Sequence, residues 1–456
     1  MALKQQLVRL LGAKIVSDEP RVLDEHSRDK WFASTLPEAV VFAETTDQVS
    51  KLLRFASREN IPVTPRGAGY GYVGGCVPSR GGIALSLARM NRIKEVSADD
   101  FVAVVEPGVI TATLQAEARA RGLFYPPDPA SMKDCSLGGN IATNAGGPRC
   151  LKYGVTRGCV LGLEVVLADG RVLRCGSRTH KNKTGFDLVG LFVGSEGLLG
   201  VVTEAMLKLL PLPPARASLA ASFRTFRQAA DAVREIFRAG FLPAALEIAD
   251  AFTLKSAREF LGREIAPGAK SLVLVDLDGQ PGSVKGECAE LARLLKKIKA
   301  LSVRTAFGET DCEKLWELRR AYSESLKATG LTKLNEDIAV PRGRLVDLVE
   351  FCERLAKKYG CPVACFGHAG DGNIHVNIMA ARYHEDRAVH DRVERALDEL
   401  FAQVLAWGGV ITGEHGIGIA KKRWWPQATS AVNRAVHAEL KRALDPKGIL
   451  NPGKFV

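Results

Sequence analysis

The chain has 456 residues, 46% hydrophobic and 25% charged, with a formal net charge of +12. At roughly 150 residues per domain this length means two or three packed units, and the balance is that of a globular protein, which excludes a disordered, collagen-like or membrane-spanning chain. The positive surplus suits an anionic substrate, a phosphorylated cofactor, an acidic partner or an anionic membrane surface, and by itself selects none of them.

The start, MALKQQLVRLLGAKIVSDEP, has too short an apolar stretch for a signal peptide and no small-residue cleavage site, so it reads as a mature cytosolic chain. Periodicity predicts an amphipathic helix over 47–58, with Val49, Leu52, Leu53 and Phe55 on its apolar side, then a strand over 61–64. A glycine loop follows. Strands are expected over 83–87, 101–105, 160–167 and 200–210, with a helix over 110–121 between them. The run Pro211-Leu-Pro-Pro214 stops this pattern and marks a domain boundary. Beyond it the chain reads as helix 226–239, strand 271–276, helix 285–298 and strand 302–307, and near the end as a helix over 431–443 before the tail LDPKGILNPGKFV. The ten cysteines include no CxxC and no iron–sulfur ligand run. Cys361 and Cys365, in a strand-like stretch, read as buried thiols.

Seven of the eighteen residues from Pro65 to Gly82 are glycine. Gly69-Tyr-Gly71-Tyr-Val-Gly74 matches GxGxxG in form, but that fingerprint must open a helix. Here Gly75, Pro78, Gly81 and Gly82 follow at once, which makes a helix too costly. A loop is expected, whose backbone N–H groups form an anion nest, with Arg66 as an added charge. Two further low-bulk regions, Ser136–Gly147 and the pair Thr184-Gly185 with Gly194–Gly200, suit a chain that skirts a large flat ligand. Three such loops imply a nucleotide-sized cofactor.

PRGAGYGYVGG, PPDPASMKDCSLGGNIATNAGG, KYGVTRG, GLFVGSEGLLGVVTEAMLKLLPLP, FGHAGDGNIH, ITGEHGIG and LDPKGILNPGK occur in that order between residues 65 and 454, within a match that covers about residue 25 to the end. Together they resemble the FAD-linked oxidases of the vanillyl-alcohol oxidase type, and within them the group of glycolate oxidase FAD subunits, D-lactate dehydrogenases and D-2-hydroxyglutarate dehydrogenases. The resemblance implies an α+β fold: an FAD-binding domain of two subdomains over 1–213, a cap domain on an antiparallel sheet over 214–410, and a helical C-terminal segment over 411–456 that returns to the FAD domain. It implies that Arg66, Gly67, Ala68, Gly69, Tyr70, Gly71, Gly74 and Gly75 form the pyrophosphate loop. Pro127, Asp128, Ser131, Gly138, Gly139, Asn140, Thr143 and Asn144 would lie along the cofactor, with Val201 and Val202 near it and Asn451 and Lys454 reaching it from the tail. Tyr70 stands where some relatives carry a flavin-linking histidine, so the FAD is expected to be non-covalent.

Phe366-Gly-His368-Ala-Gly-Asp371-Gly372-Asn-Ile-His375-Val-Asn377-Ile reads as a hairpin turning at Asp371-Gly372. With a two-residue turn, His368 lies directly opposite His375, with Asn377 on the same face and Ile374, Val376 and Ile378 on the other. Glu414, in Thr412-Gly-Glu414-His415-Gly, would complete a His₂-carboxylate metal site with open positions. The resembling family carries a divalent metal here, zinc or manganese being the ions it points to. His415, of a type that titrates near neutrality, is the candidate base for the substrate hydroxyl, the other reading being a residue that only supports Glu414.

Arg319 matches the family position that binds the substrate acid, the other reading being a solvated helix charge, and Ser323 and Asn377 are set beside it as substrate contacts. Lys333 offers a further anion contact, though its spacing departs from the D-2-hydroxyglutarate pattern. The implied activity is FAD-dependent oxidation of a D-2-hydroxy acid such as glycolate or D-lactate to the 2-oxo acid. Electrons would pass to a quinone, a cytochrome, an electron-transfer flavoprotein or an iron–sulfur subunit. Nucleic acid is not an expected partner. A homodimer and attachment to the inner face of a membrane stay open, as do two other functions: a flavin lyase-transferase like alkylglycerone-phosphate synthase, and a non-catalytic flavin subunit of an oxidase complex.

Overall fold

A computed structural model describes residues 2–263 and 265–456, and these cluster into two compact units. The first runs to Gly146 and takes in Gly154–Leu212 and Glu414–Val456; the second is Gly147–Tyr153 with Pro213–Gly413. Residues 147–153, which sequence reading left in the first domain, therefore belong with the second. Lys152 Nζ and Tyr153 Oη hold them there, on the Asp278 carboxylate at 2.5 and 2.8 Å.

The first unit carries two sheets. A four-stranded one runs Val16–Ser17, Ala39–Phe42, Ile83–Ser86, Val63–Arg66, the last three parallel. The helix Thr46–Glu59 packs on it through Val49, Leu52, Leu53 and Phe55, the face its periodicity marks. Thr45 caps that helix by accepting the Gln48 N–H, and Gln48 returns the bond to the Thr45 N–H. At its far end Asn60 turns left-handed (φ 54°) and Ile61 N–H reaches back to Ala56 O at 2.9 Å. This cap consumes Ile61, so the next strand begins at Val63 and not at 61. The second sheet is five-stranded and antiparallel, ordered Ile93–Ser97, Val102–Val105, Val201–Lys208, Val160–Val166, Val172–Gly176. Residues 67–79 form no helix, as the glycine and proline density requires.

The tail is laid along the first sheet. Ile449 O accepts the Val63 N–H at 2.8 Å and Asn451 N–H donates to Val63 O at 2.8 Å. Beyond it Lys454, fully buried, donates to Val77 O and Ser79 Oγ at 2.7 and 2.9 Å.

The second unit is built on one seven-stranded antiparallel sheet: Ser302–Phe307, Ala215–Phe223, Ser271–Gly279, Ala245–Ala249, Val363–His368, Asn373–Ala380, Thr332–Ala339. On one face Ala249, Leu272, Ala364, Phe366 and Met379 meet Leu254 and Ala257 of the helix Ala251–Leu261 and Leu318, Tyr322 and Leu326 of the helix Gly308–Lys327. Those helices fix what stands above that face. No helix of the described residues is long and apolar enough to cross a membrane.

Asp250 starts the helix Ala251–Leu261 by accepting the Thr253 N–H at 2.8 Å, and its other oxygen accepts the Cys365 N–H at 2.8 Å. Burial dominates these bonds and pushes its carboxyl up to about 6. A folded pKa above the unfolded one means the native state binds the extra proton, so stability falls as pH rises from about 4 to about 6 and is level above that. Asp250→Asn is expected to abolish that slope while costing about 1–2 kcal/mol for the lost second acceptor; denaturant titrations between pH 4 and 8 check both.

Candidate active site

His368 ends the strand Val363–His368 and His375 lies in the next, Asn373–Ala380. The register differs from the expected one: Phe366 faces His375, and His368 faces Asn373. Four residues, Ala369–Gly372, make the turn because the backbone a two-residue turn needs is engaged elsewhere. Gly370 N–H donates to Leu246 O of the neighbouring strand at 3.1 Å, and Gly372 N–H closes on His368 O at 3.1 Å. The slip is two residues, so both rings stay on one face. Their centroids are 5.4 Å apart at an interplanar angle of 81°.

Glu414 follows Gly413, whose N–H donates to Asp337 at 3.0 Å, while Thr412 Oγ1 donates to the same carboxylate oxygen at 2.9 Å. Asp337 also accepts from Asn373 Nδ2 at 2.6 Å. Gly413 is required there, because a Cβ would overlap the Asn373 amide. One ligand atom each of His368, His375 and Glu414 lie within 4.8 Å of one another, close enough for one ion. The donor set of two imidazoles and one carboxylate suits zinc or manganese.

Sequence reading missed Glu247. It is 1% exposed in the otherwise apolar strand Ala245–Ala249, directly opposite His368. One of its oxygens meets His368 Nδ1 at 2.6 Å and the other accepts from Arg319 Nε at 2.5 Å. Burial alone would raise its pKa, but Arg319 and His368 outweigh that and hold the carboxyl down at about 2. The signal for it was a lone acid inside Ala244-Ala-Leu-Glu247-Ile-Ala249. Arg319 is not a solvated charge: it is largely buried, over Tyr322 and Phe366.

Cross-strand pairing sets Asn335 opposite Asn377 and Asp337 opposite His375, with Lys333 opposite Met379, all on the histidine face. Among the described residues, the buried Oδ1 atoms of Asn335 and Asn377 have no hydrogen-bond partner. Asn377 Nδ2 donates to Ala364 O and His375 O, so its amide is fixed with the oxygen left over. Lys333 Nζ bonds Ser323 Oγ at 2.7 Å, and burial pulls its pKa down to about 8. The second unit thus brings His368, His375, Arg319, Ser323, Lys333 and Asn377 to one sheet face.

In the first unit the glycine loops divide by cause. A Cβ on Gly67 would overlap Ser136 Oγ, one on Gly69 the Arg66 guanidinium, and one on Gly138 the Pro107 ring. Close packing already demands these glycines. Arg66, expected to add charge for a pyrophosphate, donates instead to Arg28 O at 2.6 Å and Glu25 O at 3.3 Å. Its guanidinium braces the loop from below. Asn140, buried, donates to Thr111 Oγ1, Thr143 Oγ1 to Gly139 O, and Asn144 Oδ1 accepts the Arg157 N–H. Pro127 O accepts from Gln115, and Asp128 and Ser131 follow in the same non-helical stretch. Val201 is buried in the core beside Val63 and Ile83, whereas Val202 is half-buried against the second sheet's core.

Three features fit a cofactor at these loops. Among the described residues, the N–H groups of Gly69, Tyr70 and Gly71 have no acceptor within the chain. A Cβ on Gly75 would meet only Val73 Cγ2, at 3.9 Å, and among the described residues the buried Asn451 Oδ1 has no partner although its Nδ2 is fixed on Gly75 O and Glu196 O. His415 stacks on Tyr72, another residue sequence reading passed over, at 5.3 Å and 27°.

Residues 212–455 match the FAD linked oxidases, C-terminal domain, and residues 37–176 match the FAD binding domain. The chain belongs to the FAD-linked oxidases. It is an FAD-dependent oxidoreductase of that family, and FAD is its cofactor. Glycolate oxidase subunit GlcD of Bacillus subtilis (strain 168) is 38% identical over 454 residues, 99% of this chain and 96% of that protein. D-lactate dehydrogenase of Anaerostipes hadrus is 32% identical over 448 residues, 97% and 94% of the two chains. Substrate-bound p-cresol methylhydroxylase shares the fold, with a TM-score of 0.80 at 19% identity over 99% of this chain and 95% of its own. So does an alkyldihydroxyacetonephosphate synthase, at a TM-score of 0.77 and 20% identity over 98% and 86%. The vanillyl-alcohol oxidase-type fold expected from sequence is thereby met.

Proposed function

We propose that this FAD-linked oxidase converts a D-2-hydroxy acid, glycolate or D-lactate, to the 2-oxo acid and passes the electrons to an external acceptor. The observation that carries this reading is the single sheet face on which two apposed histidines, a buried arginine, a buried lysine and two unsatisfied amide oxygens stand together. The names of its relatives, a glycolate oxidase subunit and a D-lactate dehydrogenase, support the substrate class.

The residues divide the work. Arg319 and Lys333, with Ser323, bind the substrate carboxylate, Arg319 offering the planar donor edge left once its Nε is used. Asn377 stands beside them as a further substrate contact, its Oδ1 having no partner among the described residues. His415, held against Tyr72, takes the hydroxyl proton on its ring nitrogen. His368, His375 and Glu414 would hold a zinc or manganese ion, which supplies Lewis acidity toward the hydroxyl and carboxylate oxygens. Bound FAD, non-covalent on this reading, supplies the acceptor for the C2 hydride. The pyrophosphate loop, Pro127–Asn144, Val201, Val202 and Asn451 are the residues proposed to line it.

The test is anaerobic mixing of the yellow protein with D- and L-lactate and glycolate. Flavin bleaching by glycolate or D-lactate is expected, and no bleaching by any 2-hydroxy acid in the metal-loaded protein would end the proposal. Because Lys333 loses its charge through about pH 8, kcat/KM for a monocarboxylate is expected to fall above that pH, mainly through KM. In Lys333→Arg, which stays charged, the fall should vanish.

A further inference from the structure

We infer that Glu247 is a positioning residue that sets, with one carboxylate, both the metal-facing nitrogen of His368 and the carboxylate-facing edge of Arg319; this rests on the function proposed above. The strand places it for that work. Antiparallel pairing puts Glu247 directly across from His368, and the helix Gly308–Lys327 lowers Arg319 onto the same face.

Stability does not explain an acid at this position. Its strand neighbours Ala245, Leu246, Ile248 and Ala249 are all buried, and in such surroundings an apolar side chain of similar volume commonly serves a fold as well as a buried ion pair. What an apolar side chain could not do is orient two donors. The Oε1 contact with His368 Nδ1, 2.6 Å, makes Nδ1 the protonated nitrogen and puts the lone pair on Nε2, the atom that would coordinate a metal. The Oε2 contact with Arg319 Nε, 2.5 Å, occupies the side of the guanidinium and turns its two terminal nitrogens outward as a pair. Phe366 and Tyr322, at 5.1 and 5.7 Å from the guanidinium carbon, keep it from swinging away. Each oxygen serves one partner, so the acid ties the spacing between metal and substrate carboxylate to a single rigid strand.

Glutamine separates the two tasks, because it has one acceptor and one donor where the acid has two acceptors. Whichever way the amide is turned, one of His368 and Arg319 faces an N–H. Loss of a carboxylate behind a ligating histidine commonly weakens metal binding by 10- to 100-fold.

The experiment uses the full-length flavoprotein, stripped of metal by chelation. Co²⁺ is titrated into wild type, Glu247→Gln and Glu247→Asp with the visible d–d absorption as signal, and KM and kcat for glycolate and D-lactate are measured on the loaded proteins. One Co²⁺ per wild-type chain is expected, with binding 10- to 100-fold weaker or KM at least 10-fold higher in Glu247→Gln, while flavin content is unchanged. Co²⁺ affinity and KM both equal to wild type, with or without a lower thermal midpoint, would show a purely structural acid and overturn the inference. Where Glu247→Gln does not fold, Glu247→Asp decides by the same two readouts, since its shorter arm cannot span both partners. A wild-type chain that takes up no Co²⁺ would sink the metal-assisted reading itself, a result distinguishable from a failure confined to Glu247.

Discussion

His375→Ala is expected to abolish the divalent-ion binding proposed for its site and to lower kcat/KM by about 10³ or more, while the yellow flavin remains bound. Three ligand atoms within 4.8 Å of one another are the minimum for a site of this kind, and removing one leaves a two-ligand site that cannot hold zinc or manganese against water. A metal's Lewis acidity is worth several kcal/mol in the transition state, and a 10³-fold loss corresponds to about 4 kcal/mol. The ring is buried between His368 and Phe366, at centroid distances of 5.4 and 5.3 Å, so some thermal stability goes with it. Flavin content is the control, because the glycine loops that fit the cofactor belong to the other compact unit. Metal analysis beside steady-state kinetics checks the prediction. A metal-free variant within tenfold of wild-type kcat/KM would remove the ion from the mechanism.

What the sequence made legible follows from how local each signal was. The helix at Thr46–Glu59 announces itself by periodicity, since its burial pattern repeats within a few residues, and the strand at Ser302–Phe307 lies where it was expected. The helix Pro281–Lys297 starts four residues before its predicted 285, with Pro281 in its first turn, where the missing N–H costs nothing. The histidine hairpin shows the limit more sharply. Asp371-Gly372 signals a tight turn, yet the turn type is decided by Leu246 O, a carbonyl more than a hundred residues away that claims the Gly370 N–H. The shared face survived only because the slip was an even number of residues. Glu247 and Asp337 were invisible as site residues for the same reason: each acts through partners that the sheet brings to it from distant sequence.

The glycine loops teach a related lesson. Their composition pointed to a flat cofactor, but Gly67, Gly69 and Gly138 are already required by Ser136, Arg66 and Pro107. A glycine count therefore overstates how much backbone is bare for a ligand. The better signals are unpaired donors at Gly69–Gly71 and the orphaned Asn451 oxygen, and neither can be read without coordinates.

Glu196→Ala is expected to cost about 3–5 kcal/mol of stability and to lower kcat by at least tenfold. Glu196 joins three separated stretches of the first unit. Its two carboxylate oxygens accept the Ile417 and Gly418 N–H groups at 2.7 and 2.8 Å, its carbonyl accepts Asn451 Nδ2 at 2.7 Å, and its own N–H donates to Ala142 O at 2.8 Å. Alanine would strand two buried N–H groups, each costing about 1–3 kcal/mol, and would open a cavity beside Gly416, where even a Cβ now meets the carboxylate at 2.7 Å. The residue also sits at φ 51°, a left-handed conformation that alanine tolerates no better than glutamate does, so no backbone relief offsets the loss. Activity should suffer because Ile417 lies two residues beyond His415, and a segment freed at that point lets the imidazole leave its stack on Tyr72. Calorimetry reads the first effect. For the second, kcat should drop more than KM rises, since the residues proposed to bind the substrate carboxylate stand elsewhere. Unchanged kcat in a destabilised variant would mean that the Ile419 N–H bond to Val73 O, 2.7 Å, suffices to hold the segment, and that Glu196 serves the fold alone.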